Sequence, residues 1–212
     1  MMLRYAAVAF VAVAFAAGCD NDPGKDKAKA QVSAPAAAQP VVTGATKLAF
    51  SSADGSKFSF VGAKVTRKHD GGFGKFSGTV DLVDSNPEKS KVTAEVDVGS
   101  LSTDEEKLTG HLKTPDFFDV AKFPTAKFTS TSIRAGGEKG ASHTITGNLE
   151  LHGVTKSITF PATIKVNGDQ LDTDAEFAIN RKDFGIVYPG KPDDLIKDEV
   201  LIKLAIRAKK AS

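Results

Sequence analysis

The stretch Ile158-Thr159-Phe160-Pro161-Ala162-Thr163-Ile164-Lys165-Val166 places an apolar side chain at every second position. That is the period of a β-strand, in which alternate residues face opposite sides of a sheet. The same texture recurs outward from it. Val200, Ile202, Leu204, Ile206 and Ala208 share one parity, as do Leu171, Ala175, Phe177 and Ile179. Ile145, Leu149 and Leu151 alternate with Thr144, Thr146, Asn148 and Glu150, and Ala94, Val96 and Val98 with Glu95 and Asp97. Turn-forming pairs punctuate these runs: Asp54-Gly55, Asp70-Gly71-Gly72, Asn86-Pro87, Gly136-Gly137 and Asn167-Gly168. Strands are expected near 46–52, 57–67, 73–84, 90–101, 125–135, 142–152, 156–167, 170–181 and 199–209. Many strands, short turns and one apolar face suit either an up-and-down barrel or a sandwich.

One segment departs from the strand period. Thr103-Asp104-Glu105-Glu106 reads as a capping box, with Leu108 and Leu112 following at helical spacing. Thr114-Pro115 starts a second short turn, and Phe117, Phe118 and Phe123 come close behind. A short, Phe-rich helical insertion is therefore expected to cover one end of the sheet structure.

The amino terminus is of another kind. Arg4 precedes a charge-free run from Tyr5 to Ala17, and small residues lead to Cys19, the sole cysteine. A run of about 13 apolar residues fits a signal h-region and falls short of the roughly 20 that span a bilayer. Ala16-Ala17-Gly18-Cys19 resembles the lipobox of bacterial lipoproteins, with Ala16 where Leu is usual. The resemblance implies cleavage after residue 18, a diacylglycerol on Cys19, and membrane attachment on the periplasmic side. Asp20 resembles an inner-membrane retention signal. With Pro23, Gly24, Pro35, Pro40 and alternating lysines and aspartates, residues 19–44 read as a flexible tether. Residues 45–212 then form one domain, large enough for its own core.

Composition excludes several functions. The formal charge is +2 for the whole chain, and Arg4 leaves with the signal, so no nucleic-acid footprint is expected. The histidines, His69, His111, His143 and His152, lack metal-ligand spacing. No Gly-x-Ser-x-Gly elbow is present. Gly72-Phe73-Gly74-Lys75-Phe76-Ser77-Gly78 has its last glycine one position late for a dinucleotide loop and sits between strand signals rather than before a helix. Asp183-Phe184-Gly185 stands without any other kinase signature. No nucleophile, metal set or acid pair is visible, so an enzyme is not expected. What stands out is 14 Phe against no Trp and two Tyr. Phe carries no polar handle. Such an interior suits a solid core, or a cavity for a slim hydrocarbon ligand, since an eight-stranded barrel is just wide enough for either.

From about Lys47 to Ala208 the blocks resemble the YceI-like polyisoprenoid-binding family. They are Val65-Thr66-Arg67-Lys68-His69 with Gly72 to Gly78, Val96 to Thr103, Leu112 to Val120 with Phe123-Pro124 and Phe128, Gly147 to Lys156, Ile179-Asn180-Arg181, Phe184-Gly185-Ile186 and Asp198-Glu199-Val200. The resemblance implies an all-β, lipocalin-like antiparallel barrel of about eight strands with a short helical insertion and an elongated apolar cavity. It further implies a long-chain ligand (an isoprenoid, a quinone tail or a fatty-acid derivative) and no cofactor, metal or catalytic residue. On residue type and strand parity, the expected wall is Phe58, Phe60, Phe76, Phe117, Phe118, Phe128, Leu149, Leu151, Phe160 and Phe177. Arg181 and His152 are head-group candidates, though a role in a strand-end network is the stronger reading for both. A ligand-free envelope scaffold is the competing expectation, and a homodimer is left open.

Overall fold

The computed structural model describes residues 21–37 and 43–210. The leader, Cys19 and Asp20 lie outside the described residues. The chain forms β1 (Gln31–Ser33), β2 (Thr46–Ser51), β3 (Lys57–Ala63), β4 (Lys68–Phe73), β5 (Phe76–Val83), β6 (Asn86–Asp97) and β7 (Leu101–Thr103). A single α-helix among the described residues, α1 (Glu106–Leu112), follows. The remaining strands are β8 (Thr125–Ala135), β9 (His143–Leu151), β10 (Val154–Asn167), β11 (Gln170–Asn180), β12 (Gly190–Lys191), β13 (Asp194–Leu195) and β14 (Glu199–Lys210).

Several of these are halves of one longer strand. β3 pairs with β4 from Ala63↔Lys68 to Ser59↔Gly72, and the same hairpin continues as β2 against β5, Ser51↔Ser77 to Thr46↔Leu82. Likewise β5–β6 continues into β4–β7. β14 pairs with both β3 and β2 on one side and with β11 on the other. The result is a closed, eight-stranded antiparallel meander. Closure pairs most of the strand edges in the barrel wall.

Three expectations change. The first concerns Asp70-Gly71-Gly72, read as a turn, which lies inside β4. The glycines are there for space, not for bending. A Cβ on Gly71 would strike the ring of Phe60, directly opposite it, and a Cβ on Gly72 would come within 2.9 Å of the Phe58 carbonyl oxygen. Gly78 and Gly147 lie under the rings of Phe50 and Phe128 in the same way. The glycine-rich block therefore lets aromatic rings lie flat on the barrel's inner wall.

The second concerns the capping box. Helix α1 begins at Glu106, later than the box requires, and the Glu105 side chain makes no capping bond. Thr103 ends β7 instead, with its Oγ1 donating to the Glu105 carbonyl and its amide donating to Thr109 Oγ1 at 2.8 Å. The pull of the β4–β7 ladder on Thr103 outweighs the local cap signal.

The third concerns the tether. Residues 21–37 lie against the barrel rather than free of it. β10 and β11 pair only between Thr163–Asn167 and Gln170–Asp174. Beyond that point the strap bonds to both: β1 runs antiparallel to β10 (Val32↔Ile158), and Ala28 and Ala30 exchange backbone hydrogen bonds of 2.8 Å with Ala178 of β11. Lys27 and Lys29 pair with Glu176 and Glu199, each at 3.1 Å, and Ala28 is buried. Composition missed this because the docking force is backbone pairing of a split seam, which needs no large apolar side chains.

Candidate functional site

The inward faces of the strands enclose a cavity of about 740 Å³. Its size is that of a small-molecule or lipid pocket. All ten expected wall residues line it: Phe58, Phe60, Phe76, Phe117, Phe118, Phe128, Leu149, Leu151, Phe160 and Phe177. Strand parity positions them. Phe58 and Phe60 are two apart on β3, Leu149 and Leu151 two apart on β9, and Phe128 sits across from Leu149 in register.

The rings form a connected lining. Phe160 and Phe177 stack at 4.3 Å between centroids, and Phe128 meets Phe160 at 5.9 Å. On the facing wall Phe58, Phe60 and Phe118 converge on Phe73, at 4.9, 5.8 and 6.2 Å. Phe73 was missed as a wall residue; its place beside the glycines that admit the rings was the available signal. Phe50, also missed, shares the parity of Leu48 on β2. Deep in the barrel Val80, Ile133, Ile145, Ile164 and Leu171 continue the apolar lining. The Ser90 hydroxyl on the wall is consumed locally, accepting from the Val83 amide and donating to the Asn86 carbonyl.

Charged lining groups gather at the end covered by α1. Lys64, His69, Glu105, Lys107, Lys191, Asp193 and Asp194 lie there. His111 packs edge-on against Phe117 and Tyr188 at 5.0 and 5.2 Å, those two rings meet at a tilt at 5.2 Å, and with Leu108 and Leu112 of α1 they form a partial lid. Sequence reasoning passed over Tyr188 and His111 because their contact joins segments far apart in the chain.

Arg181 reaches the cavity wall, but most of its reach is spent. Its Nε donates to the Lys197 carbonyl, Nη1 to the Ile186 carbonyl at 2.7 Å, and Nη2 to Asp198 at 3.2 Å. Burial lowers its pKa from the ordinary value, and Asp198 opposes that shift; an arginine remains charged regardless. The side chain clamps the 186–198 segment to the end of β11. His152 is not among the cavity-lining residues. It occupies the two-residue turn between β9 and β10, with positive φ at both His152 and Gly153. Its ring packs on Phe123 at 4.7 Å and its Nδ1 lies 3.2 Å from the Phe184 carbonyl oxygen. His152 therefore stands in a strand-end network, the stronger of its two sequence readings, and its head-group alternative is dropped.

Such a closed meander around an apolar lumen, with the ionisable lining groups gathered at one end, is a barrel of the lipocalin-like kind. Residues 41–208 match the YceI-like domain family, and the chain belongs to it. The UPF0312 protein PputW619_0484 of Pseudomonas putida is 34% identical over 139 residues, 63% of this chain and 71% of its own. A UPF0312 protein of Pseudomonas syringae pv. tomato is 40% identical over 128 residues, 57% of this chain and 65% of its own. Among solved structures, BcnA of Burkholderia cenocepacia superposes with a TM-score of 0.64 at 26% identity, covering 73% of this chain and 97% of BcnA. A domain of Saccharophagus degradans described as polyisoprenoid-binding superposes at 0.62 with 16% identity, over 79% and 99% of the two chains, a likeness of fold.

Proposed function

We propose that the protein is a periplasmic carrier that holds one long apolar chain, an isoprenoid, quinone tail or fatty-acyl derivative, inside the barrel, and that Cys19 tethers it to a membrane. The observation that carries the reading is the 740 Å³ lumen walled by Phe and Leu, with charge only at its α1 end. Burial of apolar surface is worth about 25 cal/mol per Å², so a chain of tens of carbons binds without a dense polar site. The polyisoprenoid-binding description of the S. degradans neighbour supports the ligand class, and the run ending in Cys19 supports export and anchoring.

Native mass spectrometry of gently purified protein, followed by organic extraction, tests the carrier reading. A long-chain lipid leaving with the extract is expected; a barrel that is empty from its native source and takes up no long-chain lipid refutes it. For the anchor, Cys19→Ser is expected to move the protein out of the membrane fraction while leaving ligand binding intact. Persistence of the variant in that fraction would refute the lipid tether.

A further inference from the structure

The large apolar side chains that are exposed among the described residues are Val65, Val187 and Leu195, at 52%, 62% and 49%. They are not scattered. The Val65 amide donates to the Leu195 carbonyl at 3.0 Å, and Lys64 and Ile196 form a β-bridge. Val187 precedes Tyr188, whose ring lies on His111, and the Ile196 amide donates to the Pro189 carbonyl. All three therefore stand on the rim of the cavity's charged end. Exposed apolar side chains cost nothing singly, but a cluster around the entrance to a ligand cavity marks an interaction surface.

A second, independent observation says what lies opposite that rim. Asn21 Nδ2 donates to the Val65 carbonyl at 2.8 Å. From there the strap is held by Lys27–Glu176, Lys29–Glu199 and the β1–β10 ladder. Cys19 is two residues upstream of Asn21, a span of at most about 7 Å. An acyl group on Cys19 would thus leave the chain beside Val65, with almost none of the slack that a free tether of residues 19–44 would provide.

We propose that the Val65–Val187–Leu195 rim is a bilayer-docking surface, so that the cavity entrance faces the lipid from which its ligand comes. The proposal rests on the carrier reading for its purpose and on Cys19 for its geometry. Charge does not drive it. Three cations at the rim are matched by anions: Lys64 by Asp194, Arg67 by Glu105 and Lys182 by Asp198. Lys107 follows Glu106 in the chain, and Lys191 precedes Asp193 by two residues. A zwitterionic membrane is accordingly a sufficient partner.

The test is hydrogen–deuterium exchange of the purified protein with and without excess phosphatidylcholine vesicles, with native mass spectrometry of the same sample. Vesicles are expected to slow exchange several-fold in residues 64–67 and 187–196, and to leave the turns at the opposite end, 84–85 and 168–169, unchanged. Val65→Asp with Leu195→Asp is expected to abolish the rim protection, because both substitutions lie on exposed side chains and spare the fold. Equal protection at both ends, no protection at either, or protection surviving the double substitution would overturn the proposal. So would rim protection that appears without vesicles and grows with protein concentration, which would assign the surface to a second copy of the chain. A barrel that is empty from its native source, takes up no long-chain lipid and still docks would sink the carrier reading alone; a filled barrel with an unprotected rim would sink the docking surface alone.

Discussion

Gly71→Ala is the sharpest probe of how the cavity is built. The three atoms nearest to a Cβ placed on Gly71 all belong to the Phe60 ring, with Cε2 at 2.8 Å, Cε1 at 2.9 Å and Cζ closer still. No backbone atom is among those nearest contacts, so the ring must swing into the lumen or strain against its new neighbour. Overpacking of this kind costs about 1–3 kcal/mol. Phe60 is buried, and Phe60→Ala by itself is expected to cost about 3–5 kcal/mol. With the ring gone, however, Gly71→Ala should be neutral or gain about 0.5–1 kcal/mol, because glycine within a strand is entropically unfavourable. The double-mutant cycle should therefore show a coupling of roughly 1–3 kcal/mol, read from urea-unfolding midpoints at constant m-value. Equal cost of Gly71→Ala in both backgrounds would refute the claim that the glycine exists to seat the ring. Gly78 and Gly147 supply the contrast. There a Cβ would also meet the backbone carbonyls of Thr93 and Thr129, so removal of Phe50 or Phe128 should rescue neither alanine variant.

Other perturbations separate the structural parts. Arg181→Ala leaves the Ile186 and Lys197 carbonyls without their donor, and a loss of about 1–3 kcal/mol or more is expected in the unfolding midpoint. Arg181→Lys should recover little of it, because an ammonium cannot span the guanidinium's fork of acceptors. Asp194 is held below the usual carboxylate range chiefly by the hydrogen bond from Lys64, against burial, with the Thr66 amide and hydroxyl assisting. A folded-state pKa below the unfolded one means its contribution is complete above the ordinary carboxylate value and disappears as pH falls through the lowered one. The Thr66 amide should keep its exchange protection at neutral pH and lose it only in strong acid, whereas Asp194→Asn should lower that protection throughout; an unchanged Thr66 in the variant would contradict this account. Gly24→Val should free the strap, since a Cβ there meets Ala178 Cβ at 2.8 Å and Glu199 at 3.2 Å. Limited proteolysis should then cut within residues 21–37 while the barrel survives.

The period-two pattern of residues 158–166, 171–179 and 200–208 was enough to establish strands, their inward parity and the aromatic character of the lumen, because alternation in a half-buried sheet is a local property. Eight of the ten expected wall residues line the cavity for that reason, while Phe117 and Phe118 reach it from the turns that follow α1. Three things were legible only in three dimensions. Gly71 looks like a turn signal and Gly78 and Gly147 have no local reason inside their strands; what requires glycine is a ring on a neighbouring strand at all three, joined at 78 and 147 by a backbone carbonyl. The strand-end role favoured for His152 has no partner visible along the chain; the tight β9–β10 turn supplies it by setting the ring against Phe123. The strap at 21–37 has the composition of a linker, and it is ordered by a seam between β10 and β11 that no residue within the strap announces. In each case the deciding partner is remote in sequence. A chain dictates its own period and parity from neighbour to neighbour, whereas closure of the barrel decides which strands meet, where they split, and what must fill the gap.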